Sequence, residues 1–202
     1  YNQRTGNYDT YNSNGTYTNN GTRTIMSGQA FFVVALPGSG QLIFNEGAKS
    51  TTLQNTGVNL FMGKPVNVLA RNQSLRLQMA KDTVNTDDTF IKFDPNAKAT
   101  YDIMEDALYK GGNGLVNVAS ISGDNQTLAI NLLPFNNQGQ TIRVKMNAKA
   151  VGAYTLNMTE INGIPKLFDV LLADNNAKDT VDMRKGPYSF NLSTDTSSYG
   201  AH

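Results

Sequence analysis

The stretch "SLRLQMAKDTVNTDDTFIKFD", residues 74–94, decides the fold class of this chain. Its first part places Leu75, Leu77 and Met79 at alternate positions, with polar residues between them. Successive side chains of a β-strand point to opposite faces, so this alternation is typical of a strand that buries one face. The stretch therefore predicts a β-strand and not a helix.

The end of the same stretch, "DTFIKFD" (residues 88–94), carries apolar side chains on both strand faces. Phe90 falls on one face, and Ile91 and Phe93 fall on the other. Continuous apolar strands are usually buried on both sides. We therefore expect this strand to lie in the interior of the fold.

Further strand-like segments, separated by turns rich in Gly, Asn and Asp, follow along the chain. Alternation recurs in "TIRVKMNA" (141–148) and "AYTLNMTEI" (153–161), and "QAFFVVAL" (29–36) with "QLIFN" (41–45) predicts a hairpin. About a dozen strands at intervals of about ten residues favour an all-β fold, an antiparallel β-sandwich or a jelly-roll-like arrangement. A helix-like spacing occurs in "NAKATYDIMEDALYKGGNG" (96–114), so at most one short helix is predicted.

The first 23 residues differ in composition from the rest of the chain. Residues 1–23 consist largely of Asn, Thr, Gly and Tyr, which predicts an irregular segment with no core of its own. Residues 24–202 are predicted to form the β-sandwich, with a candidate sub-boundary near residue 136 and a shared core as the preferred interpretation. Packing against the sheet, or stacking on a sugar, is expected of four tyrosines: Tyr1, Tyr8, Tyr11 and Tyr17.

Composition excludes several classes of function. The 202 residues include no cysteine, which rules out disulfides, thiolate metal sites and a cysteine nucleophile. A formal net charge of +1 gives no field that would recruit nucleic acid or an anionic membrane. No apolar run approaches the roughly 20 residues of a membrane span, so membrane insertion is not expected. No signal peptide is visible and the chain does not begin with Met, so we expect a piece of a longer protein.

The sequence offers no catalytic constellation. Its one histidine, His202, is the last residue, and chain termini are poor places to hold a general base. The glutamates are Glu46, Glu105 and Glu160, and none lies in a motif for glycoside hydrolysis. We therefore predict that the chain is not an enzyme. An enzyme fragment whose active site lies elsewhere in a parent protein is a distant alternative.

Aspartates cluster on both sides of the "DTFIKFD" strand and predict a candidate calcium site. Calcium takes six to eight oxygen ligands from carboxylates, carbonyls and amides. Asp87, Asp88 and Asp102 are the favoured ligands, although the spacing is not that of an EF-hand. The alternative is that these aspartates end strands and cap turns. No other cofactor is predicted.

The order of these segments resembles a known class of proteins. Residues 24–200, and most specifically 152–200, are similar to a β-sandwich region of large secreted cell-surface proteins of Bacteroidota. That region commonly precedes the C-terminal sorting domain read by the type IX secretion system. The segments that carry the resemblance are "SGQAFFVVA", "GQLIFNEGAK", "LRLQMAKDTVNTDDTFIKFDPNA", "YDIMEDALYKGG", "LAINLLP" and "GAYTLNMTEINGIPKLFDVLLADNNAKDTVDMRKGPYSFNLSTDTSSYG".

The resemblance implies export across the outer membrane and an extracellular or cell-surface location. The partners it implies are the secretion or outer-membrane surface machinery, or other parts of the same large protein. It also implies O-linked glycans, because Bacteroidota modify Thr or Ser in an Asp-Thr/Ser-aliphatic context. Thr83 and Thr180 match that context, and each also fits a plain Asp-Thr turn at a strand entry.

We therefore expect a non-catalytic structural or adhesion-type module of a secreted surface protein. The runner-up is a carbohydrate-binding β-sandwich in which loop aromatics and Asp or Asn side chains hold a glycan, with or without calcium. The lack of tryptophan counts against this alternative, because tryptophan is the largest stacking platform available to a protein.

Overall fold

The computed structural model describes residues 2, 5–12, 14–19, 21–25, 29–34, 38, 40–49, 73–135 and 139–193. Within these ranges the chain is all-β, as the alternation predicted. The elements in chain order are β1 Thr10–Tyr11, β2 Tyr17–Thr18, a 3-10 helix Glu46–Ala48, β3 Gln73–Ala80, β4 Thr86–Phe93, β5 Ala107–Leu108, β6 Val116–Ile121, β7 Thr127–Leu133, β8 Arg143–Ala148, β9 Gly152–Asn162, β10 Leu171–Asp174, β11 Asp179–Asp182 and β12 Tyr188–Leu192.

One large sheet organises the molecule, in the order β12-β9-β3-β4-β7-β6-β8 with β5 also on β7. Its neighbours are antiparallel except for β4 and β7, which run parallel with Phe90 opposite Ile130. The sheet curls, so that β6 lies against β3 and β4 across the interior. This curl encloses the core and gives the sandwich-like fold.

The core combines both halves of the chain. Leu75 and Ile91 belong to the same cluster of buried side chains as Tyr154 and Leu156, because β3 pairs with β9. Burying such side chains contributes roughly 25 cal/mol per Å² of apolar surface. Residues on both sides of the candidate sub-boundary near 136 therefore stabilise one another through one cluster.

The segment 96–114 contains a turn and a short strand in place of the expected helix. The N–H groups of Glu105 and Asp106 donate to the Asp102 carbonyl, which closes a single turn. Asp106 then accepts from Leu132 N–H at 2.7 Å, and Ala107 pairs with β7. Pairing with β7 outweighs the helix-like spacing, because short helices gain little from propensity alone.

The N-terminal segment packs against the sheet and adds two short strands to a region predicted as irregular. Asn7 is fully buried, and its side-chain amide donates to the Val116 carbonyl at 3.0 Å. Asn7 also forms an isolated antiparallel β-bridge with Gly112. A Cβ added to Gly112 would collide with the Gly6 carbonyl oxygen. Close approach of two backbones therefore requires glycine at position 112.

The hairpin predicted for residues 29–45 differs from expectation in its described part. Residues 29–34 and 40–45 are not assigned to any strand. Phe32 is 72% exposed and Phe44 is 70% exposed, although both segments are strongly apolar.

None of the helices in the described residues has the length and apolar character needed to cross a membrane.

Candidate functional site

Several buried polar side chains contact Arg76, which lies on β3 inside the large sheet. Strand β3 carries Arg76 between β4 and β9, and its side chain is only 9% exposed. Arg76 Nη1 donates to Asp88 Oδ2 at 2.8 Å, and Arg76 Nε donates to Glu160 Oε2 at 3.1 Å. Two carboxylates thus compensate one buried guanidinium, which would be costly without partners.

The N-terminal segment closes over this arginine. Arg76 Nη1 also donates to the Tyr17 carbonyl at 2.8 Å. The guanidinium carbon lies 4.5 Å from the centre of the Tyr17 ring and 4.7 Å from the centre of the Phe90 ring. A guanidinium between two aromatic faces is held by its charge and by packing. The contact fastens β2 to β3 and β4.

The Asp87 and Asp88 carboxylates bind the next residues of the same segment. The backbone N–H of Asn19 donates to Asp88 Oδ1 at 2.6 Å, and the Asn19 side-chain amide donates to Asp87 Oδ1 at 2.6 Å. Asp87 Oδ2 accepts from the Tyr109 hydroxyl at 2.6 Å and from Val118 N–H at 2.8 Å. We call Arg76, Asp87, Asp88, Glu160 and Asn19 the Arg76 network.

Burial sets the proton affinities in this network. It raises the pKa of Asp87 to about 6, against the lowering effect of hydrogen bonds from Tyr109 and Asn19. Burial also raises the pKa of Asp88, and the Arg76 charge acts in the opposite direction. Burial and the neighbouring Asp87 carboxyl raise the pKa of the Tyr109 hydroxyl, so this phenol stays protonated as a donor.

The arrangement cross-links separate parts of the chain. All four oxygens of Asp87 and Asp88 accept hydrogen bonds from protein donors. These carboxylates join β4 to the N-terminal segment, to β3 and to β6.

Asp102, the third candidate calcium ligand, lies in a separate loop. Asp102 Oδ2 pairs with Lys98 Nζ at 2.8 Å, and Oδ1 accepts from Met104 N–H at 3.0 Å. Across the described part of the chain, no group of three or more His, Asp or Glu residues could hold a metal ion. Asp87 and Asp88 therefore belong to the Arg76 network, whereas both oxygens of Asp102 bond to residues of its own turn.

The other acidic and basic candidates have structural surroundings or lie outside the described residues. Glu160 is the partner of Arg76, and Glu105 belongs to the turn that precedes β5. The side chain of Glu46, together with His202 and Tyr1, falls outside the described residues.

The two predicted glycan acceptors are both exposed. Thr83 lies in the turn between β3 and β4, where Asp82 Oδ1 accepts from Val84 N–H at 2.8 Å and from Asn85 N–H at 2.7 Å. Thr180 lies in β11, and its N–H donates to Asp179 Oδ1 at 2.8 Å. In both motifs the aspartate therefore also orders the local backbone, and modification stays a prediction.

A groove of about 580 Å³ is lined by the N-terminal segment, by residues 29–34 and by the segment around β5. Aromatic side chains form part of its lining, and Tyr8 meets Phe32 edge to face with ring centres 5.5 Å apart. Its aromatic residues are Tyr8, Tyr11, Phe31, Phe32 and Tyr101, and we call this site the tyrosine groove. Its volume is within the usual range of about 300–1,000 Å³ for ligand pockets.

Asp9 supplies a titratable group in the tyrosine groove. Asp9 Oδ1 accepts a weak hydrogen bond from the Asn2 side-chain amide at 3.4 Å. Burial raises the pKa of Asp9 to about 7, and the nearby Asp88 and Asp87 carboxyls add to the increase. Polar groups that converge on an aromatic lining are the usual composition of a binding site.

Sequence reasoning missed Arg76, Asn19 and Tyr109 as partners of the two aspartates. One signal was available, because two adjacent aspartates on a strand with apolar side chains on both faces must find donors or a cation. No local pattern identifies which donors those are. Asn19 and Tyr109 are far from Asp87 along the chain and become neighbours through folding alone.

Comparison with known proteins gives one match. A family model described as "Domain of unknown function (DUF8693)" matches residues 1–199. No curated protein and no solved structure matches the chain.

Proposed function

The chain belongs to the DUF8693 family of domains of unknown function, and we propose that it is a non-catalytic structural or adhesion-type module. The observation that carries this proposal is the Arg76 network. Asp87 and Asp88, the most buried carboxylates among the described residues, accept bonds from Asn19, and Arg76 donates to the Tyr17 carbonyl. Such cross-links favour a rigid module, because a buried polar network whose members are satisfied stiffens the structure around it.

We further propose that the parent protein is secreted or anchored at the surface of a bacterium of the Bacteroidota by type IX secretion. The resemblance of residues 24–200 to surface proteins with this export route supports the proposal. Partners would be the secretion or outer-membrane surface machinery, or other parts of the same large protein. Nucleic acid and membrane insertion have no part in it, in line with the net charge of +1.

Antibody labelling of intact cells tests the location. The parent protein should be labelled without permeabilisation in a producing strain and should accumulate inside cells when type IX secretion is inactivated. A periplasmic protein that is retained in both strains serves as the control. Labelling that requires permeabilisation in the wild-type strain would refute the surface location.

The second candidate function is carbohydrate binding, and the tyrosine groove favours it. Tyrosine rings stack on sugar rings through apolar C–H faces, and the groove presents three of them beside the Asp9 carboxyl. A glycan array with wild-type protein and a Tyr8→Ala, Tyr11→Ala double variant tests this candidate. Binding that persists in the double variant, or that is absent from the wild type, would remove it.

Leu167→Ala is the matched control for that experiment, because Leu167 is 90% exposed and does not line the tyrosine groove. It removes surface apolar area without touching the site.

The proposed binding of a glycan does not require calcium. Every oxygen of Asp87 and Asp88 already accepts a hydrogen bond, so an ion there would compete with Arg76, Asn19 and Tyr109.

A further inference from the structure

A second cavity, of about 220 Å³, opens beside the edge strand β8. It shares no lining residue with the tyrosine groove. Its chemically distinctive lining residues, which define what we call the basic cavity, are Tyr109, Asn117, Thr127, Lys145, Asn147 and Lys149.

The register of β6 and β8 explains the shape of the basic cavity. On β8, Val144 and Met146 pack towards the core, so Lys145 and Asn147 face away from it. Lys145 is opposite Ala119 on β6. A small side chain between larger neighbours leaves a depression, and Ala119 forms part of its apolar floor.

The charges of the basic cavity have one sign. Lys145 and Lys149 are exposed, and neither ammonium group makes a hydrogen bond or ion pair with the residues that the structure describes. Among the described residues, none with a carboxylate side chain lines the cavity. Two unneutralised ammonium groups at one opening attract an anion and repel a cation.

Uncharged polar groups complete the lining. The Tyr109 hydroxyl lies 2.8 Å from Asn117 Oδ1 and 2.6 Å from Asp87 Oδ2, which fixes the ring at the cavity wall. Thr127 and Asn147 add a hydroxyl and an amide to the lining. One hydroxyl and one amide beside an apolar floor suit a molecule that has hydroxyl groups and a C–H face.

We propose that the basic cavity binds one acidic monosaccharide unit, a hexuronic acid, as a site separate from the tyrosine groove. Its carboxylate would pair with Lys145 and Lys149, and its hydroxyl groups would meet Asn147 and Thr127. Pockets for drug-sized ligands measure about 300–1,000 Å³, so a cavity of this size takes a single sugar ring. The site adds a ligand to the structural role and does not depend on that role.

The competing explanation is that the lysines protect a sheet edge. Strand β8 is the terminal strand of the large sheet, and lysine on edge strands discourages pairing with other chains. That explanation predicts no saccharide binding. It also gives Thr127 on β7 no part, whereas the proposed site requires its hydroxyl.

Isothermal titration with glucuronic acid, glucose and acetate tests the proposal. We expect glucuronic acid to bind more tightly than glucose, which lacks the carboxylate, and more tightly than acetate, which lacks the hydroxyls. Lys145→Gln and Lys149→Gln should each weaken glucuronic acid binding by about ten-fold, the usual effect of a charge-assisted hydrogen bond. Thr127→Val should weaken it less, because a neutral hydrogen bond is lost.

Lys166→Gln is the matched control, because Lys166 is exposed and does not line the cavity. Circular dichroism and the melting temperature establish that each variant is folded. The proposal is overturned if glucuronic acid does not bind, if glucose or acetate binds equally well, or if the Lys145→Gln, Lys149→Gln double variant binds as the wild type does. These outcomes leave the structural proposal unaffected, because it rests on the Arg76 network.

Discussion

Asn19 donates its backbone N–H to Asp88 Oδ1 at 2.6 Å across a sequence separation of 69 residues. The same residue sends its side-chain amide to Asp87, so one asparagine holds both adjacent carboxyls of β4. Asn19 adopts φ of 50°, a left-handed conformation that asparagine tolerates better than most residues. Conformation and hydrogen bonding therefore require the same residue type at this position.

Asn19→Ala should lower the free energy of unfolding by about 2–4 kcal/mol, from the lost bond to a carboxylate and the strain of a left-handed alanine. Asn19→Gly should cost less, since glycine adopts positive φ without strain. Urea denaturation measures both. Asn96→Ala, in an exposed turn, is the control and should change stability by less than about 0.5 kcal/mol. Equal stability of Asn19→Ala and the control would contradict the role of Asn19.

Arg76→Met should destabilise the fold by about 3–5 kcal/mol, because it leaves the Asp88 carboxylate buried without its cation. Adding Asp88→Asn should recover part of that loss, since the second change removes the stranded charge. A double-mutant cycle in urea gives the coupling between the two residues. Lys98→Ala breaks an exposed pair with Asp102 and should cost less than about 1 kcal/mol. Strict additivity of Arg76→Met and Asp88→Asn would refute the coupling.

Stability should fall as pH rises from about 4 towards 7, because of Asp9 and Asp87. Folding raises the pKa of Asp9 to about 7 and that of Asp87 to about 6, above the ordinary aspartate pKa of 3.8. The folded state therefore binds more protons than the unfolded state across this range, and ∂ΔG/∂pH is negative. The stability that these two carboxyls contribute is fully present below their pKa in the unfolded chain. It is lost as pH rises through the pKa that each has in the folded protein.

Asp9→Asn isolates one of these groups. The urea midpoint of Asp9→Asn should vary less with pH than that of the wild type when both are measured from about pH 4.5 to about pH 8. Asp124→Asn is the control, because Asp124 is unburied and its pKa is lowered by bonds from Ser122 and Tyr101. An identical pH profile for wild type and Asp9→Asn would disprove the role of Asp9.

Calcium should leave the melting temperature unchanged relative to an EDTA control. A ligand that binds the folded state alone raises that temperature, but Asp87 and Asp88 already accept bonds from Arg76, Asn19 and Tyr109. A calcium-dependent rise that is lost in Asp88→Asn would reverse this expectation. It would establish that the ion competes successfully with the protein donors.

Intact mass of the protein from its natural host should exceed the mass of the bare chain, if Thr83 and Thr180 carry O-linked glycans. Both threonines are exposed in the structure. Thr83→Ala and Thr180→Ala should each remove one increment of mass. Thr196, which has no aliphatic residue after it, is the control position in the sequence. A wild-type mass equal to that of the bare chain would eliminate both sites.

The large sheet was predictable in part because its signals are local. Alternation in "SLRLQMA" gave β3, and alternation in "AYTLNMTEI" gave most of β9, since period two follows from strand geometry wherever one face is buried. The same local reasoning failed at Ala107, where the spacing suggested a helix. There, pairing with β7 and the bond from Leu132 N–H to Asp106 decided the outcome.

For the candidate sites, the sequence indicates which residues stand out but not which partners they contact. The sequence pointed to Asp87 and Asp88 as candidate calcium ligands, because calcium prefers clustered carboxylate oxygens. It grouped Asp102 with them, yet Asp102 pairs with Lys98 in its own loop. Nearness along the chain and nearness in space differ here, because the curl of the sheet determines which donors reach β4.

By itself, the sequence determined the all-β class and the buried faces of the main strands, because these depend on the period of apolar side chains. Tertiary structure alone decided that β4 and β7 run parallel, that Asn19 reaches Asp88, and that Lys145 and Lys149 share a cavity. Those relations join residues that are distant in sequence. They depend on the order and curl of the strands, which no local pattern encodes.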